Sequence, residues 1–317
     1  MGSMEDYPKT LSELESGFSS EEACRDYLYQ LRWPEGFCCP RCGHAKAWPV
    51  GTVLYQCTHC NYQVSVVAGT IFHGTHKSLT IWFRAIWWLV GQKNGASALG
   101  LKNILGLGSY RTAWAWLHKL RRAMVTPNRD RLGGAIEVDE TYIGGEKPGK
   151  RGRGAAGKAL VVIAAQIDGR RIGRIRLRRV PDASAGSLER AVQEAAKEKS
   201  VIRTDAWKGY NRLDNLGYVH EIIRDETAEP GENLLPYCHR VAALLKRWLL
   251  GTHQGAVSHE HLDYYLDEFT FRFNRRTSKY RGKLFYRLLQ NAVCVEPVTF
   301  RQIVKNVRGR KPGTHHM

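Results

Sequence analysis

The chain of 317 residues contains no apolar run long enough to cross a membrane. Its most apolar stretch, Leu79 to Val90, includes Arg84 and follows Lys77, whereas a membrane-spanning helix needs about 20 predominantly apolar residues. The first residues, Met-Gly-Ser-Met-Glu-Asp, contain neither the basic region nor the apolar core of an export signal. We therefore expect no membrane partner and a cytoplasmic location.

Acidic residues are scarce relative to basic ones. The chain has 30 Asp and Glu against 48 Lys and Arg, which gives a formal net charge of +18. Such an excess attracts polyanions, and with a membrane disfavoured it points to nucleic acid as the partner. The alternative is a basic protein whose charge serves solubility alone.

A disulfide framework is not expected, because thiols stay reduced in the cytoplasm. The eight cysteines include two C-x-x-C pairs separated by fourteen residues, and four thiolates at this spacing can surround one Zn²⁺. Four sulfurs leave no position open for water, so the site is expected to be structural. Cys38, His44 and His59 are weaker alternative ligands. The expected ligands are Cys39, Cys42, Cys57 and Cys60.

The N-terminal part is predicted to be helical on both sides of the cysteine-rich segment. Ser19-Ser20-Glu21-Glu22 resembles a capping box and starts a helix that ends at Trp33-Pro34. Ser78 is expected to cap a strongly apolar helix. Two further helices, 97–105 and 109–124, flank Gly106-Leu107-Gly108, which is typical of a helix-turn-helix. We predict an N-terminal helix (1–35), a zinc ribbon (36–70) and a helical helix-turn-helix DNA-binding region (71–126).

After Pro127 the pattern changes to strands. We predict three strands, a helix, two strands and then a mainly helical remainder from Leu235. This order is typical of an α/β ribonuclease H-like domain, a mixed five-stranded sheet with helices, although a fold by itself does not fix function. The predicted strands are 135–143, 159–167, 172–180, 201–204 and 218–223, the catalytic domain is 130–255, and a helical tail is 256–317.

Two aspartates lie where such a sheet brings its strands together. Asp139 is inside the first strand, at a parity that faces inward, and Asp205 ends the fourth. A carboxylate inside a strand is costly unless it meets a metal or a positive group. Paired carboxylates can hold Mg²⁺ ions for phosphodiester chemistry. The alternatives are an Asp139 in a salt bridge and an Asp205 that caps a turn.

The motifs around these aspartates resemble a known family. Segments 136–145 and 204–210 are similar to the first-acid and second-acid motifs of bacterial insertion-sequence transposases with an N-terminal zinc ribbon, an ISXO-like group related to the eukaryotic Merlin elements. Segments 236–241, 245–246, 250–253 and 265–269 resemble the C-terminal part of that family. The resemblance covers nearly the whole chain.

The resemblance implies a DDE-type transposase of a prokaryotic mobile element, a cytoplasmic protein that is associated with the nucleoid. Such a protein would bind the terminal inverted repeats of an insertion sequence, cleave a strand at each end and join it to target DNA. Asp139 and Asp205 would hold Mg²⁺ or Mn²⁺. Because two double-stranded DNA ends must be joined, we expect at least a homodimer when DNA is bound.

The third ligand departs from the usual pattern of these enzymes. They carry Glu seven residues before a Lys, and counting back from Lys246 that position is His239. Seven residues are about two helical turns, so the two side chains share a face. Imidazole binds divalent ions but prefers softer metals than Mg²⁺. A surface histidine is the alternative reading, and Glu229 and Glu232 are the alternative carboxylates.

Several basic residues are candidates for DNA contact. Segment 147–154 is a flexible basic loop after the first catalytic strand, although a solvated linker would look the same. An alternating row of arginines in the third strand is interpreted instead as protection of a sheet edge. The expected DNA contacts are Lys246, Arg247, Lys150, Arg151, Arg153, Arg111 and Lys119.

Two other functions remain open. A catalytically inactive or domesticated transposase would act as a DNA-binding regulator, and the changed third ligand favours that idea. A structure-selective nuclease on the same fold would cut branched DNA without joining it. Both share the expected DNA partner and differ from a transposase in their chemistry.

Overall fold

The computed structural model describes residues 6–126, 129–144, 158–224, 234–255 and 257–305. The chain divides into two compact units, one formed by 1–127 with 277–317 and the other by 128–276. In the part of the chain that the structure describes, no helix combines the length and the apolar character that a membrane span requires. The expected DNA contacts Lys150, Arg151 and Arg153 and the alternative ligands Glu229 and Glu232 lie outside the described residues.

The elements of the described chain follow the predicted order. The helices are α1 (Leu11–Gly17), α2 (Glu21–Arg32), α3 (Leu79–Gly91), α4 (Ala98–Ile104), α5 (Tyr110–Ala123), α6 (Ala185–Ala195), α7 (Pro236–His253), α8 (Leu262–Asn274), α9 (Arg281–Cys294) and α10 (Phe300–Val304). The strands are β1 (Ala47–Val50), β2 (Leu54–Cys57), β3 (Gln63–Ser65), β4 (Ala135–Ile143), β5 (Ala159–Asp168), β6 (Arg171–Val180), β7 (Val201–Thr204) and β8 (Val219–Ile222). Helix α1 was not predicted.

Side-chain caps start the first long helices of the N-terminal unit where the sequence predicts them. The hydroxyls of Ser20 and Ser78 each accept a hydrogen bond from the backbone N–H three residues later. The carboxylate of Glu21 accepts the N–H groups of Leu79 and Thr80. Helix α2 therefore also caps α3, which fixes the ribbon segment between two anchored helices.

The predicted helix-turn-helix segment forms α4 and α5, but α5 is largely buried. Trp116 and Leu117 lie in the core, and Trp82 stacks on Trp116 with ring centroids 3.7 Å apart. Helix α9 packs against α2, α3 and α5. The predicted C-terminal tail, 256–317, is thus divided between the units: α9 and α10 complete the N-terminal core, whereas α8 belongs to the sheet domain.

The strands of the second unit form a five-stranded sheet in the order β6-β5-β4-β7-β8. β4, β5 and β6 pair antiparallel, and β7 and β8 run parallel to β4. This mixed sheet with its helices confirms the predicted ribonuclease H-like class. The order places β4 and β7, the strands of the two aspartates, side by side.

Each face of the sheet is covered by helices. Ile136, Val138 and Ile202 belong to the core on the side of α6. Val161 and Ile163 belong to the core on the side of α7 and α8. Because side chains alternate between faces along a strand, Glu137 and Asp139 of β4 and Arg203 of β7 lie on the face that α7 covers.

The open edge of the sheet is covered differently from our prediction. The side chain of Asn274 bonds both backbone groups of Ile175 in β6, accepting the N–H at 2.7 Å and donating to the carbonyl at 3.1 Å. Arg276 donates to the carbonyls of Ile172 and Gly173. The predicted arginine row is interrupted, because Arg176 is buried and bonds to the Asp130 carbonyl. Residues at and just after the end of α8, rather than the arginine row, therefore provide hydrogen-bond partners for the backbone of the edge strand β6.

Candidate functional site

The four expected cysteines converge in the N-terminal unit. Their sulfur atoms all lie within 4.8 Å of one another. The Sγ atoms of Cys39 and Cys60 are 3.7 Å apart, and those of Cys42 and Cys57 are 3.6 Å apart. A tetrahedron with Zn–S bonds of about 2.3 Å has edges of about 3.8 Å. The cluster therefore fits Zn²⁺, and Cys38 is outside it.

Backbone geometry at each C-x-x-C pair explains why the sulfurs meet. Gly43 (φ 76°) and Asn61 (φ 55°) follow the second cysteine of each pair, and both have the left-handed conformation that glycine and asparagine tolerate. Their N–H groups donate to the carbonyls of Cys39 and Cys57. Each pair thus closes a tight turn that presents two sulfurs. A glycine or asparagine after C-x-x-C carries this signal in the sequence.

Asp139 and Asp205 lie on the same face of neighbouring strands. β4 and β7 run parallel with Glu137 opposite Arg203, and each aspartate follows two residues later on its own chain. Neighbouring strands are about 4.8 Å apart. The fold therefore brings Asp139, within β4, and Asp205, directly after β7, close enough for the charge of Asp205 to act on the Asp139 carboxyl.

His239 joins this group from α7. Its Nε2 lies 3.3 Å from Oδ2 of Asp139, with the histidine side chain 53% exposed and the aspartate side chain 19% exposed. The helix is held by apolar residues on its other face, including Val241 and Leu245. Two ligands at right angles on one ion, about 2.1 Å from it, lie about 3.0 Å apart. The separation suits two groups that share a cation.

Asp205 does not contact the other two directly. Its Oδ1 accepts the backbone N–H of Trp207 at 3.0 Å, as the turn-capping alternative anticipated. Among the described residues, the group in which at least three potential metal-ligand atoms lie close together is that of the four cysteines. A carboxylate has two oxygens, so this hydrogen bond at Oδ1 leaves Oδ2 of Asp205 as the oxygen that could share an ion with Asp139.

The electrostatics of Asp139 reflect its position. Burial raises the pKa of its carboxyl to about 6, and the charges of Glu140 and Asp205 act in the same direction. The N–H of Glu140, which donates to Oδ1 at 2.8 Å, and His239 oppose this rise. A carboxylate beside a second carboxylate in a half-closed site is the environment that a bound cation would stabilise.

Glu137 is a site residue that sequence reasoning missed. It is buried, and its Oε2 accepts the N–H groups of Tyr237 and Cys238 at 2.8 and 2.9 Å. Burial raises the pKa of its carboxyl, whereas these two N–H groups and the charge of Arg203 lower it. The sequence signal for it was its position two residues before Asp139, which places both side chains on the same face of the strand.

The described basic candidates differ in access. Lys246 and Arg247 are exposed on α7, and the alternation of exposed and buried residues places His239 and Lys246 on the same face, as predicted. Arg111 is exposed at the start of α5, with its guanidinium over the ring of Phe300. Lys119 is partly buried, and desolvation lowers its pKa. A phosphate contact at Lys119 therefore has less support than the other three.

Comparison with known proteins gives matches over most of the chain. Residues 131–274 match the family model of the ISXO2-like transposase domain, and residues 19–63 match that of the transposase zinc-ribbon domain. The first matched segment includes α8, which the predicted catalytic domain (130–255) left out. The zinc-ribbon match includes α2.

Two individual proteins are similar to the chain. An "Uncharacterized protein in transposable element ISH50" from Halobacterium salinarum is 25% identical over 275 residues, covering 80% of this chain and 91% of the relative. A solved structure, "Crystal structure of the Mos1 Strand Transfer Complex", aligns with 70% of this chain and 77% of its own at 13% identity and a TM-score of 0.25. This last likeness is too low to support an inference.

Proposed function

From its zinc ribbon and its ISXO2-like domain, which place the chain with the insertion-sequence transposases, we propose that the protein acts on the ends of its own element. It binds the terminal inverted repeats, cleaves a DNA strand at each end and joins that strand to target DNA. The observation that carries the proposal is the convergence of His239 on Asp139, with Asp205 on the neighbouring strand.

The donor set suits a divalent cation. Two carboxylates and an imidazole match Mn²⁺ and Mg²⁺, with the imidazole favouring the former. When bound, such ions supply Lewis acidity that polarises a phosphate and activates the attacking hydroxyl. Asp139 and His239 would hold the cation from strand and helix, and Asp205 would complete the set with the oxygen that does not bond Trp207.

Basic residues beside this set would hold the DNA end. Lys246 is on the exposed face of α7 that also carries His239, and Arg247 is its neighbour. Their charges attract the phosphodiester backbone, which makes binding sensitive to salt. In the N-terminal unit, Arg111 is the best exposed contact on α5. Lys150, Arg151, Arg153 and Lys119 remain predictions from the sequence.

The test first searches the DNA on both sides of the gene for short inverted repeats, and then uses the full chain with a duplex that carries such a repeat. With Mg²⁺ or Mn²⁺ we expect nicking at the element end and joining of the freed 3′ end to a second duplex. Asp139→Ala, Asp205→Ala and His239→Ala should each lower cleavage at least about a hundredfold, because the cation supplies several kcal/mol of transition-state stabilisation. The matched control Asp168→Ala, at the exposed end of β5, should cleave as the parent does.

The rivals predict different outcomes. A DNA-binding regulator would bind the repeat with equal affinity before and after Asp139→Ala and would show no metal-dependent nicking. A structure-selective nuclease would cut branched DNA without preference for the repeat and would not join ends. We further propose that the DNA-bound form is at least a dimer, which the mass of the complex in solution will show.

A further inference from the structure

Helix α7 begins without a cap of its own. Its N-cap residue, Leu235, has no side chain that can accept a hydrogen bond, and Pro236 supplies no N–H. The first N–H groups that need a partner are therefore those of Tyr237 and Cys238. Both residues lie directly before His239, so the group that binds their N–H groups also sets the position of the His239 imidazole.

Glu137 of β4 provides the missing cap. A single oxygen of its side chain, Oε2, accepts both N–H groups, from Tyr237 at 2.8 Å and from Cys238 at 2.9 Å. The residue is 4% exposed, so water does not compete for these bonds. Hydrogen bonds to an ionised group are stronger than neutral ones, and a negative charge is favourable at a helix N-terminus.

Strand β4 thus contacts helix α7 at two points. Glu137 and Asp139 point from one face of β4, two residues apart. The first binds the backbone at 237 and 238, and the second lies 3.3 Å from the imidazole of His239. A shift of the helix end along the strand would break both contacts together.

We propose that Glu137 is a positioning residue, which fixes the start of α7 on β4 so that His239 and Asp139 are held ready for one divalent cation. This inference rests on the proposed function, because it assigns a role toward the same cation site. Glu137 itself faces the helix backbone and is not a ligand. Residues that orient ligands in this way typically change metal affinity by about 10–100-fold when they are removed.

The chain offers a matched control for the test. Glu221 of β8 lies in the same row of the sheet as Glu137, since Arg203 of β7 is registered against both. Glu221 forms an ion pair with Arg203 at 2.7 Å and makes no bond to α7 in the described contacts. Replacing either glutamate removes one acid from the same row, but only Glu137 holds the helix.

Two measurements on the full chain with its zinc site filled test the inference without DNA. Hydrogen exchange reports the amides of Tyr237 and Cys238 directly, and electron paramagnetic resonance gives the Mn²⁺ dissociation constant. For Glu137→Ala we expect faster exchange at both amides and a dissociation constant raised at least about tenfold. Glu137→Gln, which keeps the acceptor oxygen, should stay within about threefold of the parent, and Glu221→Gln should match the parent.

Three results would overturn the inference. These are protected amides in Glu137→Ala, exposed amides with an unchanged Mn²⁺ dissociation constant, or an equal loss in Glu221→Gln. If the alanine variant does not fold, Glu137→Asp, which shortens the side chain by one methylene, takes its place under the same criteria. Failure of the proposed function is distinguishable: Asp139→Ala would then bind Mn²⁺ as tightly as the parent.

Discussion

His239 Nε2 lies 3.3 Å from Asp139 Oδ2, and this contact joins the first strand of the sheet to the helix that crosses it. The aspartate comes from a strand buried on both faces, whereas the histidine comes from the exposed start of α7. A carboxylate fixed by the sheet and an imidazole open to solvent can receive a cation and a phosphate from the same side.

The first prediction concerns metal selectivity. Imidazole prefers softer ions than Mg²⁺, whereas a carboxylate prefers hard ones. We expect the parent to cleave DNA at lower concentrations of Mn²⁺ than of Mg²⁺, and His239→Glu to reduce this preference about tenfold. The measurement is the half-saturating concentration of each ion in the cleavage assay. His76→Glu, in the other unit, is the control, and an unchanged ratio in His239→Glu would exclude His239 as a ligand.

The second prediction follows from the raised pKa of Asp139. Burial raises its pKa from 3.8 to about 6, so ionisation of this carboxyl in the folded protein lowers the free energy of unfolding progressively between about pH 4 and pH 6, and has no effect below about pH 4. Asp139→Asn cannot ionise and avoids this loss. In buffer without Mg²⁺ or Mn²⁺, we expect it to be more stable than the parent by about 1–3 kcal/mol near pH 8, with no difference near pH 4.

Urea unfolding of both proteins at the two pH values measures this difference. Added Mn²⁺ should stabilise the parent and leave Asp139→Asn unchanged, because only the parent offers the ionised ligand. A stability gap that is the same at pH 4 and pH 8 would show that ionisation of Asp139 is not its cause.

The third prediction concerns zinc. Cys39 is one of the four clustered sulfurs, whereas Cys38 beside it is exposed and outside the cluster. Cys39→Ser should lose the bound zinc and leave the β1–β3 ribbon open to proteolysis, because binding of a structural zinc contributes about 10 kcal/mol or more to folding in small zinc domains. Cys38→Ser should retain one zinc per chain. Zinc content and limited proteolysis check both, and a zinc-free Cys38→Ser would reassign the ligand.

The fourth prediction concerns the open edge of the sheet. Asn274 bonds both the N–H and the carbonyl of Ile175. Asn274→Ala should lower the free energy of unfolding by about 1–3 kcal/mol, because buried backbone groups are left without partners. It should also raise aggregation, since an uncovered strand edge can pair with another chain. Asn274→Asp keeps the acceptor for the N–H and should fall between the two; urea unfolding and light scattering provide the measurements.

Local patterns in the sequence were sufficient for most elements. Short β-rich and apolar segments bounded by turn residues located the five strands of the sheet, and Ser20 and Ser78 located the starts of their helices, because strands and caps depend on neighbours a few residues away. The C-x-x-C spacing identified all four cysteines of the cluster for the same reason: each tight turn supplies two sulfurs. The short helix α1, which lacks a long apolar period, was missed.

Contacts between distant segments depended on the tertiary structure. The predicted tail was divided because α8 packs on β6 whereas α9 packs with the N-terminal helices. No local sequence pattern shows which partner an amphipathic helix will pack against. The reading of Arg176 as an exposed edge residue failed for a related reason: its guanidinium is buried and donates to the carbonyl of Asp130, which is distant in the sequence.

The sequence by itself determined the four clustered cysteines through their spacing and the strand order through the order of the elements, whereas the resemblance to transposase motifs proposed Asp139, Asp205 and His239 as site residues. Only the fold decided that His239 meets Asp139, that Asp205 is turned to Trp207, and that Glu137 caps α7. The physical reason is that a hydrogen bond between segments depends on helix placement to within a fraction of an ångström. Such placement results from packing over the whole core and is not encoded in any short motif.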